Sequence, residues 1–197
     1  MAETAQGSLR FRAFKYTVYT LLAINILLFL IHGEAFEALD SLGWVLLLGA
    51  FEYETTSMDE DYVSPFEKYG LRVVQAIGYG LAIYACWSYW DAGMWADLLN
   101  AATWLLVCTA LAYDVYAPGE YGGREWRIRN IVKGGLYAIL IAVALWWAWE
   151  GIVVERDAHG LLEFYDAVLW ILCFAVIELN VFAYETEEDG PPAAAQA

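Results

Sequence analysis

Residues 161–184 read LLEFYDAVLWILCFAVIELNVFAY, an apolar run interrupted by the acids Glu163, Asp166 and Glu178. As a helix this run spans about 36 Å, more than the roughly 30 Å of a bilayer core. Asp166 and Glu178 are twelve residues apart. That is about 18 Å of helix, so the two carboxylates cannot both reach an interface. The apolar pattern continues past Glu178 through Val181, Phe182 and Ala183, which places Glu178 inside the membrane. A charge at that depth costs about 2.5–3.5 kcal/mol on insertion scales, so such groups face a bundle interior, a water-filled cavity or a partner.

Five earlier blocks resemble this one, at 13–32, 36–53, 73–90, 95–113 and 131–149. The chain has 197 residues, 61% of them hydrophobic and 17% aromatic. Soluble domains carry roughly 45–50% apolar residues, and one of this size has no interior for such an excess. A soluble enzyme, a disordered chain and a disulfide scaffold are thereby excluded. The expectation is an all-α polytopic membrane protein with six transmembrane helices. Residues 1–12 form a cytoplasmic N-terminus, 13–184 the membrane domain, and 185–197 an acidic, disordered tail. The first block follows Arg10, Arg12 and Lys15 and reads as a retained membrane helix rather than a leader.

Nine of the ten bases precede blocks one, three and five: Arg10, Arg12, Lys15, Lys68, Arg72, Arg124, Arg127, Arg129 and Lys133. The positive-inside rule then puts both termini in the cytoplasm of a bacterial-type plasma membrane. The opposite face carries Glu34, Glu37, Asp40, Asp91, Asp97, Glu150, Glu155, Asp157, Glu163 and Asp166. The net charge of -15 is the wrong sign for nucleic acid.

Aligning Trp44, Trp104 and Trp170 brings three helix hairpins into register, about 13–56, 71–116 and 128–184. Four residues before each tryptophan stand Asp40, Asn100 and Asp166; eight after stand Glu52, Ala112 and Glu178; ten after stand Glu54, Asp114 and Asn180. This pattern predicts three repeated hairpins about a pseudo-threefold axis along the membrane normal. On it, Glu178, Asn180, Glu52, Glu54 and Asp114 form a ring of oxygen ligands near the cytoplasmic end, suited to a proton or a hard cation. The competing reading makes them interfacial groups paired with Arg72, Arg129 or Lys133. Asp40, Asp97 and Asp166 would line an outer vestibule that concentrates cations, or would simply cap helix starts.

Other features argue for less. Gly78-Tyr79-Gly80 lies within an apolar block, not on a re-entrant loop, so Gly78, Ala82 and Cys86 read as a packing strip. Gly134, Ala138 and Ala142 repeat that spacing. Trp87, Trp90, Trp95, Trp146, Trp147 and Trp149 read as an interfacial belt. His32 and His159 fall near the outer surface and are expected to hold no metal, while Cys86, Cys108 and Cys173 read as buried thiols. No nucleophile elbow, phosphate loop or zinc helix occurs. The expectation is a non-enzymatic cation channel or transporter with no cofactor beyond a possible bound cation. A non-catalytic accessory or assembly subunit of a larger complex is the alternative. Partners are the lipid bilayer and either further copies of the chain or that complex.

Overall fold

A computed structural model describes the backbone of residues 9–57, 64–116, 123–154 and 158–188, and the side chains of 13–54, 64–113, 123–154 and 159–175. Six α-helices follow in order among these residues: α1 Leu9–His32, α2 Ala35–Ser57, α3 Pro65–Ala92, α4 Trp95–Tyr116, α5 Arg124–Trp149 and α6 Ala158–Glu188. A π-helical turn, Glu150–Val154, prolongs α5. Among the described residues, three segments are long and apolar enough to cross a membrane: Ala13–His32, Trp95–Tyr113 and Arg124–Val154.

The helices overrun the apolar blocks because local chemistry sets their ends. α3 begins at Pro65, where the Ser64 hydroxyl accepts from Phe66 N–H at 3.2 Å and Glu67 accepts from Ser64 N–H at 3.0 Å. This reciprocal capping starts the helix well before Val73. Gly93, at φ 73°, ends it in a left-handed turn that leads directly into α4. α5 starts at Arg124, so Lys133 is buried within the helix rather than set at its end. α6 runs through Glu188, four residues into the expected tail; residues 58–63 and 189–197 lie outside the described residues.

Each helix packs against its neighbours in sequence, and α6 returns against α1, closing a ring. No helices across the ring approach as closely among the described residues, so side chains fill its centre. Trp44 of α2 lies 6.3 Å from Trp104 of α4 and 6.4 Å from Trp170 of α6 between ring centroids. Phe174 packs at 4.7 Å from Trp104 and 6.3 Å from Trp170. Around them lie Val18, Leu22, Leu48, Val107, Leu140 and Leu169. The middle of the ring is therefore an aromatic plug.

Polarity is reversed relative to a soluble bundle. Leu27, Leu30, Ile31, Ile83 and Leu145 point outward, Ile31 with 71% of its surface exposed. Inside stand Asn25, wholly buried, with Glu37 and Glu163. Apolar residues outside and acids inside are what a lipid solvent favours. Trp87, Trp90, Trp95, Trp146 and Trp149 are exposed as an interfacial belt requires, but Trp147 is 4% exposed and packs on Val143, Ala144 and Ala167. The three cysteines are free, with Cys173 buried and the other two half-buried.

The tightest seam joins α2 to α3. A Cβ on Gly78 would stand 2.7 Å from Leu47 Cγ and 3.0 Å from the Gly43 carbonyl oxygen. Ala82, one turn on, is fully buried, so this small-residue strip is used. The other strip is not: Gly134, Ala138 and Ala142 are exposed, and nothing stands near Gly134. Gly78→Val should destabilise the bundle by about 1–3 kcal/mol through overpacking. Gly80→Val, which meets open space, should leave thermal unfolding in detergent nearly unchanged. Equal shifts for the two would refute the seam.

Candidate functional site

Between the aromatic plug and the α1–α2, α3–α4 and α5–α6 turns, polar side chains from five helices converge. This end of the bundle carries the acidic turns and is called the acid end. Asp40 lies five residues into α2 and Asp166 eight into α6, about 8 Å and 12 Å from those helix starts. That depth removes both from capping positions. Only Asp97, third in α4, stands in a first turn. All three are half-buried.

The donors offered to these acids are few. Asn25 of α1 donates its amide N–H to Asp166 Oδ1. Tyr89 of α3 donates its hydroxyl to Asp40 Oδ2 at 3.1 Å. Trp170 and Trp44, one turn below, hydrogen-bond the carboxylates of Asp166 and Asp40. The spacing of four that aligned Asp40, Asn100 and Asp166 with the tryptophans thus has a physical content: side chains at i and i+4 share one helix face. Donors run out before acceptors do. Asn25 Oδ1, Asp40 Oδ1, Asn100 Oδ1 and Glu163 Oε1 are buried without a hydrogen-bond partner. Each such atom forfeits about 1–3 kcal/mol of desolvation unless something is bound to it.

Glu37, His159 and Glu163 form the outer part of the cluster. His159 Nε2 lies 3.2 Å from Glu37 Oε1 and 3.9 Å from Glu163 Oε1. The second oxygen of Glu37 accepts from Glu34 N–H at 2.6 Å, as an acid in the first turn does. Gly33 leaves the space that this carboxylate fills. His159 is placed by the α5–α6 turn, where Gly151 and Gly160 meet backbone to backbone. A Cβ on Gly160 would lie 2.9 Å from Gly151 Cα. The π-helical turn at 150–154 makes this approach, and such turns often sit beside functional groups.

The other end is differently built. Glu52 pairs with Lys15 and accepts from the Tyr19 hydroxyl at 3.0 Å, while Glu54 accepts from Gln75 at 3.2 Å. Both are therefore engaged with α1 or α3. Glu178, Asn180 and Asp114 belong to α6 and α4, and their side chains lie outside the described residues. Of the expected residues, the structure brings Asp40, Asp97 and Asp166 into one region. It adds Asn25, Glu37, Tyr89, Asn100, His159 and Glu163. Asn25 was visible as the lone amide in the apolar run LLAINILLFL at 21–30, and His159 and Glu163 as an i, i+4 pair. The sequence put Glu37, His159 and Glu163 at one end, but nothing in it paired Glu37 with them across 122 residues.

Comparison with known proteins gives no further guide: no family model, curated protein or solved structure matches the chain.

Asn25→Leu keeps the volume but takes the side-chain donor from Asp166. It should cost about 1–3 kcal/mol of stability in detergent. Asn25→Leu combined with Asp166→Leu should recover part of that loss, because no buried carboxylate is then stranded. Strict additivity of the two substitutions would contradict the pairing.

Proposed function

We propose that the protein binds and moves cations across a membrane, taking them up at the acid end of a six-span bundle. The observation that carries this reading is the group of buried, unpartnered oxygens at Asn25, Asp40, Asn100 and Glu163. All four are acceptors, and they stand beside the carboxylates of Glu37, Asp97 and Asp166. A proton, a metal ion or ordered water with a cation supplies what they lack. His159 is the one base that pairs with these acids among the described residues.

On this reading the helices form three repeated hairpins, each sending Asp40, Asn100 or Asp166 inward from its returning helix. Both termini face the cytoplasm of a bacterial-type plasma membrane, so the chamber opens outward. The layer of Trp44, Trp104, Trp170 and Phe174 blocks the axis below it. A closed plug suits a carrier that moves between states better than an open channel. Glu52, Glu54, Asp114, Glu178 and Asn180 form the cytoplasmic stage of the path. Movement past the plug then requires Trp104 or its neighbours to shift.

One observation favours the accessory-subunit reading, with no transport of its own. The strip Gly134, Ala138 and Ala142 is exposed on α5, a surface on which another helix packs closely.

Liposomes holding the purified protein, loaded with a pH dye or a divalent-cation dye, separate the two. Transport predicts cation flux in the wild type, reduced at least tenfold in Asp40→Asn/Asp166→Asn and in Glu178→Gln. Flux unchanged in both variants would overturn the assigned path. No flux from folded wild type, with a larger membrane protein co-purifying, would favour the accessory role.

A further inference from the structure

The outer part of the cluster has a ligand geometry of its own. One atom each from Glu37, His159 and Glu163 lies within 4.8 Å of the other two. A tetrahedral ion with bonds of about 2.0–2.2 Å holds its ligand atoms about 3.4 Å apart. The two separations, 3.2 Å from His159 to Glu37 and 3.9 Å from His159 to Glu163, bracket that value. We infer that Glu37, His159 and Glu163 form a binding site for a divalent first-row transition-metal ion, of the zinc or manganese kind.

Two further observations point to a ligand rather than to a chance group of acids. The Glu163 side chain is only 8% exposed, and its Oε1, the atom facing His159, has no hydrogen-bond partner. The charge balance is also short. A protonated His159 offsets one carboxylate, yet Glu37 and Glu163 flank it directly and Asp97 acts on all three groups. No Lys or Arg pairs with any of them among the described residues.

The donor set selects the ion. One imidazole nitrogen with two carboxylates suits zinc, manganese, iron or cobalt, whereas calcium and magnesium favour all-oxygen shells. Three protein ligands leave a fourth position open, for water or for the nearby Asp97 carboxylate. His159 keeps 35% of its side-chain surface exposed, which leaves a way in from the acid end. The Gly151–Gly160 contact fixes the backbone next to His159, so Gly160 acts as a positioning residue. The inference names the ion class of the proposed cation chamber and rests on that reading only for its link to transport.

The test is titration of the chelator-stripped, full-length protein in detergent, with Zn²⁺ by calorimetry and Co²⁺ by visible absorption. One Zn²⁺ should bind per chain, and Co²⁺ should give d–d bands of low coordination number. His159→Gln and Glu163→Gln should each weaken Zn²⁺ at least tenfold and abolish the Co²⁺ bands. Glu34→Gln, an exposed acid nearby, should alter neither. Helical circular dichroism identifies folded variants, and His159→Gln alone decides if Glu163→Gln fails to fold. No binding by folded wild type, or binding indifferent to both substitutions, would overturn the site. Metal bound without liposome flux would sink transport but keep the site. Flux of the same ions through His159→Gln would do the reverse.

Discussion

Asp166 is a carboxylate held about 12 Å along α6 from its start, in the interior of the bundle, and two neighbouring side chains serve it. Asn25 reaches it from α1, and Trp170 reaches it from one turn below on its own helix. The first contact ties α6 to α1 and so closes the ring; the second fixes the indole that joins the central plug. Asp40 repeats the arrangement with Tyr89 and Trp44, which ties α2 to α3. A polar group at this depth is tolerated only when satisfied, so each acid recruits a neighbouring helix. Fold and site therefore share the same contacts.

The contacts also divide the interior into layers. Above the tryptophans, oxygen acceptors outnumber donors, and Asn25 Oδ1, Asp40 Oδ1, Asn100 Oδ1 and Glu163 Oε1 are left over. Below them, Glu52 and Glu54 are matched by Lys15, Tyr19 and Gln75. Among the described residues the unmatched oxygens stand at the acid end, where the Gly151–Gly160 contact also holds His159 between two acids. Apolar residues in those positions would give a more stable bundle. The acids are costly to keep, and on the proposed reading a bound cation offsets that cost.

Much of this was legible in residues. The apolar blocks located the helices, and Trp44, Trp104 and Trp170, aligned in sequence as marks of a repeat, prove to be buried together in the middle of the ring. Helix ends were not legible from hydropathy, because the Ser64–Glu67 capping pair starts α3 by hydrogen bonding rather than by apolar content. A carboxylate near the start of an apolar block also reads as a cap, whereas Asp40 and Asp166 lie five and eight residues into their helices. Trp147 read as one of a belt because periodicity alone does not say which face of α5 meets α6. The Glu37–His159–Glu163 group depends on α6 returning against α1, which brings its first turns within side-chain reach of Glu37 on α2, a tertiary fact without a local pattern.

The central claim is that the unpartnered oxygens at the acid end hold a cation. Crystals of the wild-type protein grown with manganese, measured at an anomalous wavelength, test it most directly. The account predicts an anomalous peak at the acid end, about 2.0–2.3 Å from ligand atoms of Glu37, His159 and Glu163 or among Asn25, Asp40 and Asp166. Manganese at saturating concentration with no peak above the tryptophan layer, and water alone on those oxygens, would contradict it.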